Sequence, residues 1–456
     1  MRFSMPRRRA ERRGLRLWHV WIVLPLAFVT AIAIAAGVFF AGWDLLGARE
    51  LKPEHRVDSK TLFDLVKLSF GVVAGAGALV ALVVAYRRQR VDEDGALREA
   101  TRLHTERFTA AVSQLGDDSA AVRLGGVHAL AGLADDAPTR ELRQTCIDVL
   151  CAYLRLPYTH EADLASDDAD ARHTYLALRE VRHTVIRLIR DHLRLEPSHP
   201  RSWQGHDFDF TAVAFDGGDL TGAAFSGGTV DFDMAVFSDG MFDFAGATFS
   251  SGTVNFQGAV FSGGTVNFSK ATLSGGTVNL AEAVFSGGTV DFAWTRFSGS
   301  TVHFTQAWFT GGHLNFGGAR FSGSTVHFNG ARFSGSTVHF NGARFSGGTV
   351  DFVGAEFSDG TLTFGGGFAQ TVFSGGTVNF GAAHFCGSTV NFGRVVFSGT
   401  MVNFGATPPY VGAEFSGGTV DFTQANGPAP AGLVPPSGSP LPTGVSLPSI
   451  WRSAGS

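Results

Sequence analysis

Phe261-Ser-Gly-Gly-Thr-Val-Asn-Phe268 is followed, after a short gap, by Leu273-Ser-Gly-Gly-Thr-Val-Asn-Leu280. The phrase returns with small changes from Phe285, Phe297, Phe309, Phe321, Phe333 and Phe345. Self-similarity at a short fixed period marks a solenoid, whose units bury apolar surface only against their neighbours. The spacing of the large apolar residues defines the unit. Phe210, Phe215, Leu220 and Phe225 stand five apart; from there to Phe232, Phe237, Phe244, Phe249, Phe256, Phe261 and Phe268 the steps alternate seven and five. The later register is the earlier one with a Gly-Thr pair added at every second face.

The residue two before each centre is small or β-branched, as at Val230, Ala235, Ala247, Val254, Ala259, Val266 and Ala271. Side chains two apart share one side of an extended segment. Each face therefore turns one small and one large apolar group inward, while Asn267, Asp291 or His303 between them points out. The predicted core includes Ala259, Phe261, Val266, Phe268, Phe285, Phe292, Phe304, Phe321, Phe328, Phe333 and Phe340. Ser-Gly after each centre is read as the corner, because Gly accepts positive φ without a Cβ clash. Four such faces predict a coil of 24 residues. A two-sided coil of 12 is the alternative, but two Phe, a Val and an Ala per 12 residues overfill so narrow a lumen. The run from 206 to 425 then gives about nine coils, a rod of about 40 Å at the usual strand spacing.

This register resembles the pentapeptide-repeat family, whose fold is a right-handed four-sided solenoid. The resemblance covers about half the chain, and the two-residue insertion departs from it. Upstream, Glu106-Arg-Phe-Thr-Ala-Ala-Val-Ser-Gln-Leu-Gly116, Val122-Arg-Leu-Gly-Gly-Val-His-Ala-Leu130, Gln144–Leu154 and Arg179–Ile186 resemble the region preceding the repeats in membrane-associated bacterial pentapeptide-repeat proteins. That resemblance implies no catalytic residue.

Residues 1–16 form a basic arm with seven arginines, read as cytoplasmic. An apolar run at 17–43 is long enough to span a bilayer, with Trp18, Trp21 and Trp43 near its ends. A link at 44–61, read as external, leads to a second apolar run at 62–86, closed by Arg87, Arg88 and Arg90. The expectation is two transmembrane helices with both ends cytoplasmic. Gly71 and Gly75 would let two helices approach closely. Residues 91–200 carry helical periodicity and predict a small all-α, HEAT-like region with helices at Ala96–Leu115, Ser119–Ala134, Arg140–Leu156 and Ala171–Leu193. Ser119 is a candidate cap, and acidic 158–170 a loop. Cys146, Cys151 and Cys386 are too few for a disulfide framework and are read as reduced structural thiols. Residues 426–456, rich in Pro, Gly and Ser, are read as a disordered tail.

The regular repeat breaks twice, at Gly365–Thr371 and around Pro408-Pro409-Tyr410. Insertions in repeat arrays become loops, often on a binding face. His303, His327 and His339 share an outward repeat position, without a closed metal-ligand set. Arg320, Arg332 and Arg344 form a basic series. No nucleophile elbow, phosphate loop or zinc-protease motif stands out, so no catalytic, cofactor or metal residue is nominated. The formal net charge of −4 gives no reason to expect nucleic-acid binding. The leading expectation is a non-catalytic, membrane-anchored scaffold, its membrane contact integral and its protein partner unidentified. Asp207, Asp209, Asp231, Asp233 and Asp243 raise the alternative of DNA mimicry towards a topoisomerase. The rows Thr253, Thr265, Thr277, Thr289 and Thr301 raise that of ice or surface binding.

Overall fold

A computed structural model describes residues 58–159, 168–366, 369–406, 410–434 and 440–452, with scattered residues in 25–44 and 161–165 and residue 408. The basic arm and nearly all of the link lie outside these. Within 17–43 the described residues are helical. The chain divides into two units, residues 1–102 and 103–456.

Helix α1 runs from Ser59 to Leu115 without interruption. The second apolar run and the first helix of the helical region are therefore one element, not two. The stretch Arg87–Gly95 contains no proline, and Gly95 costs only about 1 kcal/mol in a helix interior. Among the described residues, this is the one helix long and apolar enough to cross a membrane.

In the second unit α1 ends against α2 (Ala120–Asp135), α3 (Arg140–Leu154) and α4 (Ala169–Leu193). Val127, Leu130, Cys146, Ile147, Leu150, Val185 and Ile189 form the buried centre, while Val122 stays exposed. Gly126 sets the α1–α2 approach: a Cβ there would lie 2.6 Å from the Leu115 nitrogen and 2.9 Å from the Ala111 carbonyl. Thr139 caps α3 through Leu142 N and Asp168 caps α4 through Ala171 N. Ser119 occupies the first cap position, but its side chain makes no capping bond. Both thiols of α3 are buried, and burial pushes Cys146 up to about 11.

From Phe208 the chain is a parallel β-solenoid of about ten turns, one more than expected. Val260-Phe261 pairs with Val236-Phe237 below and Val284-Phe285 above, so the coil has 24 residues. The 12-residue alternative is excluded. Each coil has four faces, exemplified by Thr253–Asn255, Val260–Phe261, Thr265–Asn267 and Thr272–Ser274. The first faces make a nine-stranded sheet and the fourth an eight-stranded one. The second and third share a 15-stranded sheet, because from Arg332–His339 onward they run together as single eight-residue strands.

All eleven predicted core residues are buried. Their rings stack in ladders along the axis: Phe304, Phe328, Phe352 and Phe380 follow at 4.7, 4.7 and 4.8 Å with nearly parallel planes. Such spacing fits both the strand repeat and the preferred separation of aromatic pairs. Two ladders break in one place, at Leu273 and Leu280. An apolar void of about 10 Å³ lies there, bordered by Phe249, Phe256, Phe268 and Phe292.

The corners are of two kinds, which corrects the uniform Ser-Gly reading. Ser-Gly-Gly turns only the seven-residue step. At Gly264, φ is +61° and a Cβ would lie 2.3 Å from the Gly240 carbonyl. The five-residue step is turned by the outward Asx. Asn267 Oδ1 accepts from Ser269 N at 2.9 Å, and its amide donates to Asp243 of the previous coil at 3.1 Å. Local Asx bonding substitutes for glycine there, so residues such as Lys270 and Trp294 hold positive φ.

Both ends of the stack are covered. At the start, Asp216 accepts from Tyr158 (2.6 Å), Tyr175 (2.7 Å) and Arg179 (3.1 Å), with His183 Nε2 at 3.2 Å. Tyr158, expected in an outward loop, is thus tethered inward. Burial alone raises the Asp216 carboxyl, but hydrogen bonds from His183, Tyr158 and Tyr175 outweigh it and hold it well below the usual carboxylate range. At the far end, Leu433, Val445, Leu447 and Trp451 are buried, and Trp451 donates to the Gly427 carbonyl at 2.8 Å. The described part of the tail is therefore an ordered cap, not a disordered segment. Its few apolar residues suffice because the last coil offers Phe397 and Phe422 to cover.

Candidate functional site: an arginine-lined groove

The corner between the third and fourth faces carries, coil after coil, Lys270, Trp294, Gly318 and Gly342, and later Arg394, with φ between +60° and +73°. Glycine at two successive levels leaves room for neighbouring side chains to lie over the backbone. Trp294 closes one end: a Cβ on Gly318 would meet its ring at 2.8 Å. Ala369, in the insertion after Phe364, closes the other: a Cβ on Gly342 would meet its Cβ at 2.8 Å. Thr371 anchors the return of that insertion, donating to the Phe340 carbonyl at 2.7 Å and accepting from Gly342 N at 3.1 Å. Arg320 and Arg344 stand in register on the adjoining fourth face, continuing a row begun by Arg296. The groove between Trp294 and Ala369, open to solvent, has a volume of about 600 Å³ and also touches Gln370, Val372 and Arg394.

No carboxylate among the described residues lines this groove. Among the described residues, neither Arg320 nor Arg344 has an ion-pair partner, although the chain as a whole is acidic. Two arginines in register on adjacent strands make a local positive field that an anion would neutralise.

The 24-residue coil redistributes the residues singled out in the sequence. Arg332 leaves the arginine series for the second face, where it lies 4.8 Å over Trp308 and 3.8 Å from Glu356. Arg296, which belongs to the row, was missed because its kinship with Arg320 appears only at the 24-residue period. His303 and His327 stack at 5.0 Å, while His339 sits on the third face beside Asn315. Burial and the facing His327 both hold His303 below the usual imidazole range. No cluster of metal-ligating residues occurs among the described residues.

The Thr series splits too: Thr253, Thr277 and Thr301 share the first face, Thr265 and Thr289 the third. The acidic residues serve the fold. Asp207, Asp209, Asp231 and Asp243 each accept a backbone N–H, and Asp209 also pairs with Arg155. Beyond Asp231 the first-face row carries a carboxylate only at Asp351. Duplex DNA presents about one charge per 1.7 Å. The second insertion lies at a different corner, where Val411 accepts from Ala382 N at 2.8 Å.

Compared with protein-family models, with characterised proteins and with solved structures, the chain finds no match. The class it belongs to is set by its own geometry: a repeat protein, a parallel β-solenoid preceded by an α-helical region.

Proposed function

We propose that the chain is a membrane-anchored, non-catalytic scaffold, and that its solenoid is of pentapeptide-repeat type and meets a protein partner in the cytoplasm. The observation that carries this reading is the division of labour in the repeat. Inward positions are spent on the Phe ladders and most outward Asx on the corners. Most of what varies from coil to coil lies in surface rows and two corner insertions, the places where repeat proteins carry recognition. The anchor is supported by α1, whose Leu68, Phe70, Val73, Leu82 and Val84 are exposed apolar side chains, and by the separate apolar run at 17–43. Orientation rests on the arginines flanking the two runs, and buried reduced thiols agree with it.

Topology reporters fused at the link and at the C-terminus, with proximity labelling from the solenoid, test the proposal. The expected result is an external link, an internal C-terminus and recurrent labelling of a cytoplasmic protein. A C-terminus reporting outside overturns the compartment, and labelling no richer than that of a freely diffusing control overturns the scaffold.

A further inference from the structure

We propose that the groove between Trp294 and Ala369 is a binding site for a nucleoside phosphate, with the base on the indole and the phosphates on Arg320 and Arg344. The assignment concerns this groove alone and does not depend on the scaffold reading. Three observations point to it. Arg320 and Arg344 are neighbours across one strand pairing, so two long side chains that start one strand step apart can reach a single phosphate group. Among the described residues neither has an ion-pair partner, and no carboxylate lines the groove. Trp294 rests one ring face on Gly318 and is 63 % exposed, which leaves the other face open as a stacking platform.

Size favours a mononucleotide over a polymer. The groove's volume of about 600 Å³ falls within the range of small-molecule sites. The indole lies over Gly318 and Ala369 over Gly342 one coil further on, so the groove is bounded at both ends. Gln370 at the far end supplies an amide, and Arg394 adds a further cation.

The test is calorimetric titration of the full-length chain in detergent with ADP, pyrophosphate, adenosine and a single-stranded oligonucleotide. ADP should bind more tightly than either pyrophosphate or adenosine. Arg320→Gln and Arg344→Gln should each weaken ADP by about tenfold or more, the loss of a charge-assisted contact. Trp294→Ala should weaken ADP and adenosine but leave pyrophosphate unchanged. Alanine already holds the same backbone conformation at Ala212 and Ala382, so this variant should keep its fold, as circular dichroism melts would verify. Arg332→Gln, on another face, is the control and should bind as wild type. The assignment fails if ADP does not bind at millimolar concentration. It also fails if pyrophosphate binds as well as ADP with Trp294→Ala silent, which indicates a bare anion site, or if the oligonucleotide binds more tightly than ADP. Any of these failures leaves the proximity-labelling result, and hence the scaffold reading, standing.

Discussion

Replacing Phe328 tests whether the aromatic ladders hold the solenoid together. Phe328 is fully buried, with its ring 4.7 Å from both Phe304 and Phe352. It also meets Phe309, Phe333 and Phe340 at 6.1–6.4 Å. Phe328→Ala removes all of these contacts from a rigid stack that cannot collapse onto the gap, so a cost of about 3–5 kcal/mol is expected. Phe328→Leu is the informative control, because Leu280 occupies the same ladder two coils earlier. Leucine keeps most of the burial and loses the two face-to-face pairs, worth about 0.5–1.5 kcal/mol each. Its cost should therefore be about 1–3 kcal/mol, below that of alanine. Urea unfolding followed by circular dichroism gives the global effect. Hydrogen exchange gives the local one, since coils touch only their neighbours and the loss should concentrate within about one coil of residue 328. Equal costs for the two variants, or a cost for alanine below about 1 kcal/mol, would refute the ladder as a source of stability.

Three further outcomes follow from single positions. Leu280→Phe should stabilise the chain and raise Tm, because it completes the ladder between Phe256 and Phe304 and fills the void. The same backbone register accepts phenylalanine in the neighbouring coils, and a lowered Tm would mean that this coil is narrower than its neighbours. Gly264→Ala should cost several-fold more than Gly227→Ala in denaturation. Both hold positive φ, worth about 1–2 kcal/mol against alanine, but a Cβ on Gly227 meets nothing within 4 Å while one on Gly264 meets backbone. Asp216→Asn should lower stability at neutral pH and flatten its acid dependence. The folded carboxyl is held low, so its contribution is full above the unfolded value of about 3.9 and is lost as pH falls below that. Parallel acid-unfolding curves for wild type and variant would show that Asp216 is not the group responsible.

Much of this architecture was legible in one dimension, and each legible part has a local cause. The alternation of five and seven between Phe210 and Phe268 marks the inward positions, since side chains two apart share a face. Helical periodicity located α2, α3 and α4 to within two residues at each end. What was misread depends on contacts distant in sequence. Ser-Gly looked like a universal corner because glycine announces positive φ, whereas the Asx corner depends on a side chain bonding both its own chain and the next coil. The tail looked too poor in apolar residues to fold by itself, and Trp451 is buried only because the last coil presents its open end.

The sequence by itself determined that the chain is a solenoid and which side chains fill it, because the inward pattern is written residue by residue. Which outward residues become neighbours depends on how the chain wraps. Sequence offers Arg320, Arg332 and Arg344 as an evenly spaced series. Wrapping the chain at 24 residues per coil sends Arg332 to another face and brings Arg320 and Arg344 together. The same wrapping lays Trp294 over Gly318 and Ala369 over Gly342. A groove is a relation between coils, and the length of the coil fixes that relation.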